Sequence, residues 1–367
     1  MPPPESPRSS PPPEVRGDFI LCPCHPGAEA VLAARQAEML PAFARGVWRR
    51  GLATFRIGPP GVELPDDFAP DLVFAHTVVR SLGQVTGGSV AELAAKVRET
   101  VGPTTWDAIH VWHRDPRIDV AVADVRAAVA AACGAAVPVD ALAQRGDLVL
   151  DCVLDAADRW WVGWHRASSP ASCWPGGVYP RSLPEGKVSR AWLKLDEAMA
   201  SFGVVLQPGD RAIELGAAPG GACQRLLEAG LDVVGVDAAV VDAAVAAHPR
   251  FEQWRMRARE VPLRRMKGCD WLLTDMNIDP VSTMAALERV LAGGLRPAGV
   301  IATLKLPDWS RATELPGWLD TFRRFGYVAL ARQLSTGGRE VCVVATAAST
   351  GRVRSPMRHR ATRRPGA

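Results

Sequence analysis

Residues 211–238 read RAIELGAAPGGACQRLLEAGLDVVGVDA, and they decide the fold of the second half of the chain. RAIELG (211–216) is a short, largely apolar run with the length of a buried strand. AAPGG (217–221) is a tight loop. ACQRLLEAG (222–230) has helical spacing and stops at a glycine, and VVGVDA (233–238) is a second strand. Strand, glycine-rich loop, helix and strand form the opening unit of a doubly wound parallel sheet. Ligands of such sheets bind outside the carboxyl ends of the strands, where this loop lies.

The loop spacing is Gly216-x-x-x-Gly220-Gly221. It matches neither the dinucleotide pattern G-x-G-x-x-G nor a P-loop, and no lysine follows to hold phosphates. Asp237 closes the second strand about 20 residues on, where an acid can accept hydrogen bonds from both hydroxyls of a ribose. Loop and acid without a phosphate-binding feature predict a nucleoside ligand lacking a pyrophosphate, such as S-adenosylmethionine.

Outward from this unit the alternation continues. VSRAWLKLDEAMASF (188–202) precedes it as a helix. CDWLLTDM (269–276) and GVIATLKL (299–306) are further strands, separated by the helix VSTMAALERVLAGG. The helix of GWLDTFRRFG follows, and YVALARQLS and EVCVVATAA close the region. Thr336-Gly337-Gly338 joins these last two strands by a short turn, so they form a hairpin and at least one is antiparallel.

The first half has a different grammar. FILCPC, GLATFRI (51–57), DLVFAHTVV (71–79), DAIHVWH (107–113) and DLVLDCVLDAADRWWVGWH (147–165) read as strands. AEAVLAARQAEML, AELAAKVRETV (91–101) and VAVADVRAAVAAACGAA (120–136) read as helices. Short strands without a glycine fingerprint predict α+β units with mixed sheets. A loop rich in Ser, Pro and Gly (166–187) places the main domain boundary between the halves.

The chain has 367 residues, 48% hydrophobic and 22% charged, the balance of a soluble globular protein of two or three domains. No run of about 18 apolar residues occurs, which excludes a transmembrane span and a membrane partner. The N-terminus lacks the apolar core of a signal peptide, so a cytoplasmic protein is expected. Residues 1–17 hold seven prolines and residues 351–367 hold six arginines and no acid; both read as disordered tails, the second either an aid to solubility or a loose, salt-sensitive nucleic-acid contact. Without that arginine tail the formal charge of +4 becomes −2 for residues 1–350. Net charge therefore says little about a polyanion partner. Eight scattered cysteines show no second cluster at zinc-ligand spacing, so no metal site is expected.

Four charged residues stand in unusual places. Asp275 ends the apolar strand DWLLTD, and Lys305 sits inside the apolar run VIATLKLP. Lys194 lies in the helix before the first strand, and Glu340 starts the last strand. A charge within an apolar strand is costly unless paired. Two lysines and two acids at one strand edge suit deprotonation of a hydroxyl: an amine near a second positive charge serves as general base, and ammonium groups stabilise the alkoxide.

SRAWLKLDEA, ELGAAPGG, TDM, LKLP and REVCVVA resemble the FtsJ-type ribose 2′-O-methyltransferases with their Lys-Asp-Lys-Glu tetrad. The resemblance implies a Rossmann-like α/β methyltransferase domain, a mostly parallel doubly wound sheet with a C-terminal antiparallel hairpin, behind an α+β N-terminal RNA-binding region. It implies that Lys305 is the proton acceptor, with Lys194, Asp275 and Glu340 completing the tetrad. It implies that Ser189, Gly216, Ala218, Pro219, Gly220, Gly221, Asp237 and Asp275 line an S-adenosylmethionine site. FILCPCHPGAEAVLAAR, YPRSLPEGKVSRAWLKLDEA and TLKLPDWSR are similar to the members that methylate a cytidine of large-subunit (23S) rRNA, before the ribosome is fully assembled. The expected divisions are 18–80 (ferredoxin-like), 81–175 (THUMP-like, RNA-binding) and 176–349 (methyltransferase), with tails at 1–17 and 350–367. Where the family carries an adenine-facing aspartate, this sequence reads WRMRARE, with Ala258 or Arg259 near that position.

Two further readings stay open: an RNA-binding protein of this fold without activity, and a methyltransferase acting on a base or on another RNA. TDMNIDP lacks the Asn/Asp-Pro-Pro-aromatic motif and the cysteine that base methylation usually needs. Residues 250–267 carry seven basic residues against two acids, a stretch for phosphate contact or simply a solvated face. Trp160, Trp161 and Trp164 read as core rather than base-stacking platforms, and His25, His110, His113 and His165 as structural or surface residues. No feature of the sequence sets an oligomeric state.

Overall fold

A computed structural model describes residues 17–58, 62–135 and 141–347. The arginine-rich tail and all but the last residue of the proline-rich start lie outside the described residues. The chain divides into two compact units. The first holds the chain up to Arg181 together with Leu306–Thr313 and Arg332–Glu340; the second holds Ser182–Lys305, Glu314–Ala331 and the chain from Val341 on.

The first unit contains β1 (Phe19–Pro23), α1 (Glu29–Met39), β2 (Ala44–Arg49), β3 (Leu52–Arg56), β4 (Val79–Thr86), α2 (Val90–Val101), β5 (Ala108–His113), α3 (Val122–Cys133), β6 (Leu148–Ala156) and β7 (Arg159–Arg166). Its strands form one sheet in the order β2-β3-β1-β4-β7-β6-β5. β5 and β6 are parallel, and the other recorded pairs are antiparallel. β4 spans residues 80 and 81 and pairs with both β1 and β7, so the two N-terminal divisions share a sheet. α2 starts at Ser89, whose side chain accepts from Glu92 N–H, and stops at Gly102. Its Leu93 and Val97 pack with Val125 and Val129 of α3 on Leu148, Leu150 and Trp160 of the sheet. Trp160 and Trp164 are core residues, and Trp161 packs against Leu21, Trp112 and Val153.

The stretch 71–79 departs from the expected strand. Only Val79 belongs to one, and Ala75 makes a single bridge to Cys24. Leu72 N–H donates to Pro70 O (2.9 Å) and Ala75 N–H to Leu72 O (2.8 Å), so turns hold this backbone. Its apolar residues are nevertheless buried, which is why the pattern resembles a strand. Loops later in the sequence complete this unit. Gln333 N–H donates to Val73 O (2.8 Å), Tyr179 N–H to Ser335 Oγ (2.9 Å), and His25 Nε2–H to Gly337 O (3.0 Å).

In the second unit come α4 (Arg190–Phe202), β8 (Arg211–Leu215), α5 (Gly221–Glu228), β9 (Asp232–Val236), α6 (Ala243–Ala246), β10 (Phe251–Trp254), β11 (Trp271–Thr274), α7 (Pro280–Ala292), β12 (Gly299–Lys305), α8 (Leu315–Arg324), β13 (Tyr327–Arg332) and β14 (Glu340–Ala347). The sheet order is β10-β9-β8-β11-β12-β14-β13. β10, β9, β8, β11 and β12 are parallel. Leu306 N–H donates to Arg339 O (2.9 Å) and Ala347 N–H to Ala298 O (3.1 Å), a pairing that runs β14 antiparallel to β12. This is the doubly wound sheet with a closing antiparallel strand. β10, a four-residue strand of mixed polarity, is not apparent from the sequence pattern.

Candidate active site

The carboxyl ends of β8, β9 and β11 lie level, because Leu215 pairs with both Val236 and Thr274. β12 runs three residues beyond its pairing with β11, to Lys305. Asp275 follows the last residue of β11. The same edge therefore carries the loop 216–221, Asp237, Asp275 and Lys305.

Lys194 comes to this edge on α4. Ser189 caps that helix by accepting from Ala191 N–H (3.4 Å), and Gly203 ends it in a left-handed conformation. Trp192, Leu193 and Leu195 are buried, which leaves Lys194 half-buried at their margin. Two bonds lock α4 to α5: Trp192 Nε1–H donates to Glu228 Oε2 (2.8 Å), and Arg225 Nε–H to Asp196 Oδ1 (2.8 Å).

Asp275 sits between the two lysines. Lys305 Nζ donates to its Oδ1 at 2.8 Å, and Lys194 Nζ donates to its Oδ2. The three side chains are 17%, 23% and 15% exposed for Asp275, Lys305 and Lys194. Burial works to raise the Asp275 pKa, but the charges and hydrogen bonds of the two lysines outweigh it and hold the carboxyl below its usual range. The array is thus one carboxylate with two amines, still reached by water. Glu340 opens β14, the neighbour of β12, at the end of the pair where β12 closes on Lys305.

The loop side of the edge is built by backbone. Gly216 N–H donates to Val236 O (2.9 Å), tying the loop to β9. Gly220 has φ +115 at the N-cap of α5, a conformation that favours glycine. A side chain at Gly221 would lie 2.2 Å from Ser189 Oγ, so α4 and α5 approach there only through glycine. The Ala218–Pro219 peptide is cis. Asp237 Oδ2 accepts from Ala218 N–H (3.0 Å) and Oδ1 from Ala239 N–H (2.9 Å). Each carboxylate oxygen keeps a second acceptor site, and the side chain is half-exposed. These residues fit a ribose diol: a carboxylate fixed by two N–H groups with acceptor capacity left over.

The position near Ala258 and Arg259 lies in a short 3-10 turn (Ala258–Glu260). Arg289 Nη2 donates to Ala258 O (3.3 Å) and Val261 O (2.8 Å), and Glu260 accepts from Arg257 N–H (3.1 Å). The single acid of this turn is thus bonded to its own backbone.

One acid escapes the sequence reading. Glu214 in β8 is 2% exposed and accepts the thiol hydrogen of Cys223 at 2.8 Å. Burial pushes its carboxyl up to about 8, with the nearby Asp275 charge adding to it, so it carries a proton at neutral pH. An acid inside the apolar run RAIEL is the signal that reveals it, the same signal that singles out Lys305. Among the described residues no group of three or more His, Cys, Asp or Glu could hold a metal ion, and no helix is long and apolar enough to cross a membrane.

A family model described as FtsJ-like methyltransferase matches residues 187–349. Curated relatives called ribosomal RNA large subunit methyltransferase M are similar to the chain. That of Azotobacter vinelandii is 30% identical over 182 residues, covering 47% of this chain and 49% of the relative. That of Halorhodospira halophila is 32% identical, covering 48% and 52%, and that of Laribacter hongkongensis is 32% identical, covering 49% and 54%. The chain spans about half the length of these relatives in the matches. Among solved structures, TrmN from Thermus thermophilus is 17% identical with a TM-score of 0.33, covering 89% of this chain and 99% of that one. S-adenosylmethionine is the cofactor that goes with this family. The parallel sheet with its loop and Asp237 lies within residues 187–349, which are similar to FtsJ-like methyltransferases, in a chain similar to ribosomal RNA large subunit methyltransferase M.

Proposed function

We propose that the protein methylates a ribose 2′-hydroxyl of RNA, at a cytidine of 23S rRNA before the ribosome is fully assembled, and that it does so in the cytoplasm. The observation that carries this reading is the Lys194–Asp275–Lys305 array at the same strand edge as Asp237. The names of the curated relatives support an rRNA target.

When bound, S-adenosylmethionine supplies an electrophilic methyl group. Asp237 would hold the cofactor's ribose, and the backbone of Gly216, Ala218, Pro219, Gly220 and Gly221, with Ser189 behind it, would shape its bed. Once its Nζ has given up a proton to water, Lys305 accepts the proton of the 2′-hydroxyl as a neutral amine, while Asp275 Oδ1 fixes that amine in place. Lys194, held on the other oxygen of Asp275, stabilises the negative charge that develops on the ribose oxygen. Glu340 completes the tetrad from the start of β14. The regions 18–80 and 81–175 would bind the RNA as ferredoxin-like and THUMP-like parts.

The test is methyl transfer by the full chain from labelled S-adenosylmethionine to unmodified 23S rRNA, followed by digestion to nucleosides. Label in a 2′-O-methylated nucleoside is the expected result. Label on a base, or no transfer, overturns the reading.

A further inference from the structure

The stretch 250–267 holds seven basic residues, and the structure separates them by use. Arg250 Nη1 donates to Gly230 O (2.6 Å), and Arg265 lies over the Trp254 ring at 4.1 Å and beside Glu252 at 3.5 Å. These two hold β10 and its surroundings together. Arg255, Arg257 and Arg259 follow the end of β10 at every second residue, and all three are exposed. Their backbone is fixed by other bonds: Met256 N–H to Trp254 O (2.9 Å), Arg257 N–H to Glu260 Oε2 (3.1 Å) and the Arg289 bonds to Ala258 O and Val261 O.

Their place relative to the site is set by β9 and β10. Trp254 pairs with Val236, and Asp237 N–H donates to Trp254 O (3.2 Å). The three arginines therefore begin level with Asp237, each strand having ended one residue before. S-adenosylmethionine carries a sulfonium, an ammonium and one carboxylate, and it has no phosphate. Its net charge is positive, so a row of three guanidinium groups at its site repels it overall. Such a row suits a polyanion that arrives at the same edge.

We propose that Arg255, Arg257 and Arg259 form a phosphate-binding rim that grips the RNA backbone beside the target nucleotide. This rests on the RNA reading above and adds the surface that recognises the strand. Each guanidinium would release about one counterion on binding.

The experiment uses the full chain carrying Arg255→Gln and Arg257→Gln together. Binding of an unmodified 23S rRNA transcript is measured over a range of salt, binding of S-adenosylmethionine by calorimetry, and methyl transfer by initial rates. Removing two contacts should lower the slope of log affinity against log salt by about 1.4–1.8. The KM for RNA should rise about tenfold or more, with the loss in KM rather than kcat and cofactor affinity kept. Arg255→Lys with Arg257→Lys should restore most of the slope, because lysine keeps the charge. An unchanged slope, or a loss of cofactor affinity instead, overturns the rim. The RNA titration needs no turnover: a lowered slope in a protein that transfers no methyl to ribose would retain the rim and sink the proposed function. Intact transfer with an unchanged slope would do the reverse.

Discussion

Two carboxylates, one in each unit, are held by nitrogen donors, and they differ in how much water reaches them. Asp151 of the first unit is 0% exposed. It accepts from His165 Nδ1 (2.5 Å) and Trp112 Nε1–H (3.2 Å), while His165 Nε2 faces Ser172 O (2.8 Å). Both ring nitrogens of His165 meet oxygen acceptors, an arrangement that favours the doubly protonated ring. Burial opposes that charge, but the Asp151 carboxylate and the Ser172 carbonyl outweigh it and raise the His165 pKa. Neighbouring His110 is pushed down to about 3 by burial and stays neutral. Asp275 and its two lysines are each about a fifth exposed. A sealed pair has nothing to exchange protons with; a pair open on one side can take a proton from a bound molecule. The same chemistry serves structure in one unit and, on our reading, reaction in the other.

The sharpest way to break this comparison is to remove one partner from each cluster. Lys305→Ala should lower the rate of methyl transfer by about 10²–10⁴-fold, the usual worth of a general base, with the fold kept. Initial rates and circular dichroism check it, and near-full activity would erase the chemical role. Asp151→Ala should leave a charged histidine buried without its partner, at a cost of about 3–5 kcal/mol in denaturant unfolding. The rate per folded molecule should stay within about twofold.

A smaller effect is expected at the cofactor side. On our reading Asp237→Ala removes a charged acceptor of two hydroxyls, worth about 1.5–3 kcal/mol. Calorimetry with S-adenosylmethionine should show the Kd rising roughly 10–150-fold by the same measure. An unchanged Kd would move the ribose elsewhere.

The last contrast is in pH. A raised histidine pKa contributes stability that is fully present below the unfolded value near 6.5 and lost as pH rises through the folded value. Asp275 has a lowered pKa, so its contribution is present above its unfolded value near 3.8 and lost as pH falls through the folded one. The Tm gap between the natural protein and His165→Gln should therefore be widest near pH 6 and shrink on the alkaline side. A gap that grows toward pH 9 would mean that His165 is neutral in the fold.

How much of this is readable from the residues depends on how they meet water. The parallel strands β8, β9, β11 and β12 are buried on both faces, so their apolar runs stand out, and Asp275 and Lys305 stand out against them. Glu214 obeys the same rule in RAIEL. β10 is invisible because FEQW is an edge strand of four residues with two polar side chains. β2 (ARGVWR) is hidden for the same reason, being mostly exposed at its own sheet edge. The run 71–79 shows that burial and strand geometry are separate properties: Leu72, Val73 and Phe74 are core residues on a backbone of turns. At the site, residue types were legible but bonds that depend on loop paths were not. Asp237 accepting from Ala218 N–H follows from the course of 216–218, which no periodicity encodes.

The two units are not contiguous in the gene. The first takes in Leu306–Thr313 and Arg332–Glu340, so the chain passes from one unit to the other five times. A single cut after Arg181 would leave Val73 O and Tyr179 N–H without Gln333 and Ser335, their hydrogen-bond partners. Neither unit is a cassette that recombination or a truncated expression clone could lift out whole. Any fusion, split or swap of this protein has to carry those two short loops with the part they complete.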